Sequence, residues 1–235
     1  MIEEKKAVEA LEKIKKILDK NNIDYWLDEG TILGAVREKK LIEWDHDIDL
    51  ATWFTNLSKI KPLFDEFDTT GIQTCFFEEK KHIDLLGNGF KIDINLYHID
   101  EEKATRMWYE QNKIGDFLDY FIWITQIKKA ELKTSNIPLV ITKIFVKISN
   151  ILPKSIRYNI ARSLFRIYEK IGAKHIPMGV PSYFFTDLKD IKFYGMNFKV
   201  PKKTEEYLEY RYGKDWKIPK RDYVYTRDDQ SIIKK

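Results

Sequence analysis

The chain has 235 residues, 43% of them hydrophobic, and a formal net charge of +4 at pH 7, enough material to bury a sizeable core in one elaborated domain. Its single cysteine, Cys75, rules out an intrachain disulfide framework and a cysteine-based zinc site, and four histidines without paired spacing argue against a histidine-based one. No apolar run of about 18 residues occurs, so no membrane-spanning helix is expected; the stretch MIEEKKAVEALEKIKKILDK lacks the apolar centre of a signal peptide, and together with the lone cysteine this reads as a cytoplasmic chain.

In chain order, Ala7, Leu11, Ile14 and Leu18 recur at helical spacing and predict an amphipathic helix that stops at Asn21-Asn22. A strand from Ile23 to Leu27, a turn at Gly30-Thr31, a short helix to about Arg37 and a strand around Asp47 to Phe54 follow. Asn56 or Ser58 is placed to cap a helix through Phe67 that Pro62 interrupts. Gln73–Glu78 and Lys81–Leu86 read as strands, and Gly87-Asn88-Gly89 is a hairpin signal leading into Phe90–Tyr97. Glu102–Phe117 reads as a helix, and the run Tyr120, Phe121, Trp123 as core.

The charge is unevenly spread. Residues 127–174 carry eleven Lys or Arg against two Glu, leaving the rest of the chain net acidic. Two helices are expected there, from Pro138 to Leu152 and from Lys154 to Gly172, with Arg157, Arg162, Arg166 and Lys170 beside Ile156, Ile160 and Ile167. Apolar residues flanked by Lys and Arg suit a helix pair packed on the domain, or a surface lying on anionic lipid at the inner membrane face. The acidic surroundings and the absence of an RNA-module signature argue against nucleic acid. Tyr183–Val200 reads as a strand pair, and Thr204–Arg211 as a helix closed by Gly213. These divisions give a core over 1–126, a basic helical insertion over 127–176, and strands and a helix over 177–235 that pack back on the core.

The chemistry concentrates in LDEGTILGAVREKKLIEWDHDIDL, from Leu27 to Leu50. Asp45, Asp47 and Asp49 stand two residues apart; on a strand they share one face, with His46 turned away as a structural residue. Like charges so close repel unless a cation lies between them, so the spacing reads as a divalent-metal site. An EF-hand starting at Asp45 would need Gly at its sixth position and Glu at its twelfth, where this chain has Leu50 and Asn56. Upstream, a strand, Gly30-Thr31 and a helix start in that order form an anion cradle. Downstream, Asp93 lies between Ile92 and Ile94 on a strand, and Asp84 on the opposite arm of the same hairpin is its rival as the third carboxylate.

These residues predict a Mg²⁺ site, Mn²⁺ being the alternative ion, on Asp47 and Asp49, with Asp93 completing a second position and accepting the proton of an acceptor hydroxyl. Gly30 and Thr31 are candidates for a phosphate, and Arg37 for a phosphate fork. Trp44 suits a nucleobase or packing beneath the strand, and Asp45 is an outer ligand or an anchor for Arg37.

Gly30-Thr31, Asp47-Ile48-Asp49 and a later strand aspartate resemble the signature of the nucleotidyltransferase superfamily. The fuller string DEGTILGAVREKKLIEWDHDIDL is similar to the LicD and fukutin family, with Glu43 where that family usually has Pro. VPKKTEEYLEYRYGKDWKIP, from Val200 to Pro219, resembles the family's closing elements. The resemblance implies an α/β fold, a nucleotidyltransferase-like mixed sheet flanked by helices and here elaborated by the basic helical insertion. It implies a transferase moving a phospho-alcohol, such as phosphocholine or ribitol or glycerol phosphate, from a CDP-linked donor to a cell-surface or lipid-linked glycan. Two rivals remain: transfer of the nucleotide itself to a small molecule or protein, and a catalytically silent nucleotide-binding module.

Overall fold

The computed structural model describes residues 3–77, 81–87, 89–129 and 138–233. Glu78 and Asn88, named above in a strand end and a hairpin, lie outside them. The first helix, α1 (Glu4–Lys20), buries Ala7, Leu11, Ile14 and Leu18 as the spacing requires and ends at Asn21, with Asn22 at a left-handed φ of 51°. Strand β1 (Tyr25–Leu27) runs into α2 (Glu29–Arg37), and β2 (Ile48–Trp53) returns beside β1 in antiparallel register. The expected helix from Asn56 to Phe67 is instead a series of single turns ending in α3 (Leu57–Ile60) and α4 (Phe64–Thr69), because Pro62 sits in a tight turn between them and supplies no amide hydrogen.

The sheet that carries the site is mixed. Strand β3 (Gln73–Phe77) pairs with β4 (His82–Gly87), β4 pairs antiparallel with β5 (Phe90–Asp100), and β5 lies parallel to β2. The far end of β5 turns into β6 (Lys103–Gln111), which pairs along its length with β7 (Ala173–Pro181). The helix expected over Glu102–Phe117 is therefore wrong in its first half. KATRMWYEQ alternates across a sheet and finds a full-length partner in β7, and the helix α5 (Lys113–Gln126) begins only where Asn112 caps it, accepting from Ile114 N and Gly115 N at 2.9 Å each.

Helices α6 (Leu139–Ile151) and α7 (Lys154–Ile167) pack on α5. The approach is close where a Cβ on Gly115 would meet the Gly172 carbonyl oxygen at 2.0 Å. A short α8 (Tyr183–Thr186) places Phe185 on the buried ring of Trp26, with centroids 4.7 Å apart. The hairpin of β8 (Leu188–Phe193) and β9 (Met196–Pro201) turns on Tyr194 and Gly195, whose φ angles of 49° and 76° match a tight two-residue turn, and β9 lies against β1. The chain closes with α9 (Thr204–Tyr212) and the single turn α10 (Tyr225–Asp228).

Candidate active site

Sheet register brings the carboxylates together. Asp49 on β2 stands directly opposite Asp93 on β5, and Asp93 stands opposite Asp84 on β4. Cross-strand partners project from one face, so Asp49, Asp93 and Asp84 form a row, and the choice between Asp84 and Asp93 dissolves: both face the same cavity. Along β5 the same face carries Lys91 and Asn95, two residues either side of Asp93. Asp45 and Asp47 do not extend this row as strand residues, since β2 starts at Ile48 and Asp45 sits in a turn, its N–H donating to Ile42 O at 3.0 Å. His46 is exposed there, its N–H donating to Asp45 Oδ1.

Two cavities meet at this row. One, of about 360 Å³, is lined by Asp47, Asp49, Asp84, Asp93, Lys91 and Arg106, with Trp108, Tyr109 and Trp123 on its walls. Six carboxylates of its wall, Glu29 and Asp119 among them, face two cations, Lys91 and Arg106. The other, of about 250 Å³, is lined by Gly30, Arg37, Trp44 and Asp45, by Trp216 and Tyr223, and by Lys220 and Arg221. Glu29, Asp47 and Asp49 border both. A further cleft, of about 770 Å³, lies between α1 and the β8–β9 hairpin and holds none of the candidate residues.

The excess negative charge leaves a mark on protonation. Burial and Asp47 push the Asp45 carboxyl up to about 7. Burial, partly offset by Lys91 and reinforced by Asp84 and Asp47, pushes Asp93 up to about 7. Asp49 is raised by burial and by Glu29. Burial opposes charge on Lys91, but Asp93, Asp84 and Asp47 outweigh it and hold the ammonium protonated. Asp93 Oδ1 is buried without a hydrogen-bond partner. Hard oxygen donors short of positive charge fit a divalent cation. Among the described residues no three acidic or imidazole groups already converge on one point, and in the space between Asp47, Asp84 and Asp93 stands the Lys91 ammonium.

The other expected residues take varied places. Thr31 is buried and its hydroxyl accepts the Asp49 N–H at 2.7 Å, so it ties α2 to β2 behind the cavity rather than facing a phosphate. Gly30 is the residue that lines the cavity; a Cβ there would fall 2.2 Å from Asp45 Oδ2. Arg37 is held by Glu38 Oε1 at 2.6 Å and Trp216 O at 3.2 Å, not by Asp45. Trp44 packs half-buried against the core with the Arg221 guanidinium 4.9 Å over its ring. Trp123, read as core, lies on the cavity wall.

Several functional neighbours were not singled out from the sequence. Arg106 on β6 donates to Asn95 Oδ1 at 2.7 Å and pairs with Glu29, while Asn95 reaches Asp49 Oδ1 at 3.4 Å. Glu29 holds a left-handed φ of 44° at the start of α2 and is also met by Arg211 at 3.3 Å. Asp28, just before it, is buried and accepts from Tyr97 and Tyr207 at 2.9 and 2.7 Å. A signal existed for Lys91 and Asn95, in the period of two around Asp93. For Arg106 none did, because the segment read as a helix.

Residues 22–138 match a family profile described as LicD/FKTN/FKRP, nucleotidyltransferase domain. An "uncharacterized protein" of Rickettsia typhi is 30% identical over 113 residues, covering 47% of this chain and 35% of that protein. The human ribitol 5-phosphate transferase FKRP is 34% identical over 47 residues, 20% of this chain and 10% of that one. The chain thus spans about a third or less of the length of these curated relatives. Among solved structures, ANT(2")-Ia in complex with adenylyl-2"-tobramycin matches with a TM-score of 0.33 at 14% identity over 68% of this chain and 98% of that one, a likeness too distant to carry weight. The mixed sheet and the matched region agree, and through this nucleotidyltransferase domain the chain belongs to the LicD and fukutin family.

Proposed function

We propose that the protein transfers a phospho-alcohol from a CDP-linked donor to a hydroxyl of a glycan or glycolipid. The observation that carries this reading is the meeting of two differently built cavities at Asp47 and Asp49. The smaller one offers aromatic faces and cations, Trp44, Trp216 and Tyr223 with Lys220 and Arg221, which suit a nucleobase and its phosphates. The larger one offers carboxylates and indole walls, which suit a hydroxyl-rich acceptor. In-line attack forms a bond from the acceptor oxygen to the phosphorus bearing the alcohol and breaks that phosphorus's bond to the oxygen it shares with CMP, which leaves with the bonding pair.

Asp47 and Asp49, with Asp45 as an outer ligand, would hold Mg²⁺ or Mn²⁺. Such an ion supplies neutralisation of the diphosphate charge and of the leaving oxygen. Asp93 Oδ1, buried and unpartnered, would accept the acceptor hydroxyl's proton. Asn95, itself held by Arg106, reaches Asp49 from within the same cavity, and Gly30 lets donor phosphates approach the start of α2. The similarity to a ribitol 5-phosphate transferase supports a polyol phosphate as the group moved.

The acceptor side points to a membrane. Among the described residues no helix is long and apolar enough to cross one, and twelve of the eighteen exposed large hydrophobics among these residues lie between Val140 and Ile171, on α6, on α7 and just beyond it. Exposed Lys143, Lys147, Arg166 and Lys170 flank them, a combination that suits an anionic lipid surface. The same helical layer lends Asp119, Trp123 and Tyr168 to the larger cavity. A lipid-linked glycan held at that surface would reach the carboxylates from this side.

Incubation with Mg²⁺, an acceptor glycolipid extract and either a CDP-alcohol or a labelled NTP separates this reading from nucleotide transfer. CMP release that Asp49→Ala abolishes supports it. Pyrophosphate release from an NTP would replace it with nucleotidyl transfer, and neither product with a folded wild type would favour a silent binding module.

A further inference from the structure

The Lys91 ammonium stands between three carboxylates. Its Nζ is 2.5 Å from Asp93 Oδ2, 3.5 Å from Asp84 Oδ1 and 3.7 Å from Asp47 Oδ2. The backbone sets this position: Lys91 precedes Asp93 by two residues on β5 and so projects from the same face. The Trp123 ring, 5.9 Å from Nζ, closes over the ammonium and favours a cation there.

The charge distribution around the row is lopsided. On the Asp84–Asp93 side a fixed cation already sits between the acids. On the Asp45–Asp49 side none of the described cations does: Asp49 Oδ1 receives the Asn95 amide, Arg106 pairs with Asn95 and Glu29, Arg211 with Asp229, Tyr207 and Glu29, Arg37 with Glu38, Lys220 with Asp215, and Arg221 lies over the Trp44 ring. Asp47 belongs to both halves, touching Lys91 through Oδ2 while bordering both cavities. A pair of divalent ions working on one phosphate lies ~3.5–4 Å apart, and the place such a second ion would take, shared by Asp47 and Asp93, is where the ammonium lies.

We propose that Lys91 is a built-in substitute for the second divalent ion, so that the site takes one metal, on Asp47 and Asp49, and fills the other position with its own side chain. This rests on the metal reading given under the proposed function. It also accounts for Asp93 Oδ1: a lysine satisfies one carboxylate oxygen and leaves the other open to a proton, whereas a divalent ion held there would compete for it.

Titration with Mn²⁺ followed by calorimetry and electron paramagnetic resonance tests this without substrate or turnover. The wild type should bind one Mn²⁺ with an uncoupled six-line spectrum. Lys91→Met should bind two, with the spectrum broadened by coupling between neighbouring ions, and Lys91→Arg should keep one. Two Mn²⁺ in the wild type, or one in both wild type and a folded Lys91→Met, would overturn the role of Lys91 while leaving the metal site standing. No Mn²⁺ bound by the folded wild type would instead remove the metal reading. Should Lys91→Met fail to fold, Lys91→Gln, which also removes the charge and keeps much of the side-chain length, takes its place with the same two expected counts.

Discussion

Arg211 and Asp229 form a fully buried pair: the guanidinium donates through Nε at 2.8 Å and through a terminal nitrogen at 2.5 Å to Asp229 Oδ2. The same Arg211 reaches the Tyr207 hydroxyl at 2.9 Å and Glu29 at 3.3 Å, and Tyr207 in turn donates to Asp28. The residues from Tyr207 to Asp229 are therefore not an appendage. They fix the two acids at the start of α2, one of which, Glu29, borders both cavities.

Removing one partner of such a pair strands a buried charge, which costs about 3–5 kcal/mol. Asp229→Ala should lower the free energy of unfolding by that amount in a urea titration. The joint change Arg211→Met with Asp229→Leu should recover part of it, since it removes the stranded charge of that pair but also takes the guanidinium away from Glu29 and from buried Asp28, 3.7 Å away. A double variant as unstable as the single one would mean that the pair is not what holds the C-terminal segment in place.

Thr31 offers a cleaner separation of scaffold from chemistry. Its hydroxyl takes the Asp49 N–H within the core, so Thr31→Val should leave a buried donor unpaired and cost about 1–3 kcal/mol, while Thr31→Ser should cost far less. Both should retain the donor affinity of the wild type once folded. A Thr31→Ser variant of normal stability that bound donor tenfold more weakly would return Thr31 to the phosphate site.

The outer face of α6 and α7 makes a prediction of its own. Each basic residue near an anionic bilayer contributes about 1 kcal/mol, so Lys143→Glu, Lys147→Glu and Arg166→Glu together should weaken binding to phosphatidylglycerol vesicles by more than about 100-fold. Ile144→Ser with Ile148→Ser should weaken it at high salt as well, because what is lost is apolar burial. Arg157 is a poorer probe, being half-buried and bonded to Asn150 at 2.6 Å. Unchanged co-sedimentation of both variants would leave this face to another use.

Much of the site was legible where chemistry and period coincide. Asp49 and Asp93 on strands, Gly30 at a helix start and the amphipathic α1 all follow from local spacing. What local spacing does not contain is register. Asp84 and Asp93 looked like alternatives because they sit on opposite arms of a hairpin, and only the pairing of β4 with β5 places them side by side. The misreading of β6 has the same origin: KATRMWYEQ becomes a strand because β7, some sixty residues later, supplies its hydrogen bonds. Arg106 was lost with it. Thr31 shows the converse, since a residue type suited to phosphate was taken by a backbone amide of its own sheet.

The most direct test is thermal denaturation with CDP-ribitol, CDP-glycerol, CDP-choline and plain NTPs, each with and without Mg²⁺, on the wild type and on Asp49→Asn. A ligand at a hundred times its dissociation constant stabilises the native state by about 2.7 kcal/mol. A Mg²⁺-dependent rise in melting temperature of several degrees with at least one CDP-alcohol, absent in Asp49→Asn, is the expected result. A rise with NTPs alone, or one with CDP-alcohols that persists without Mg²⁺ and in Asp49→Asn, would contradict a metal-bound CDP-alcohol at this row of aspartates.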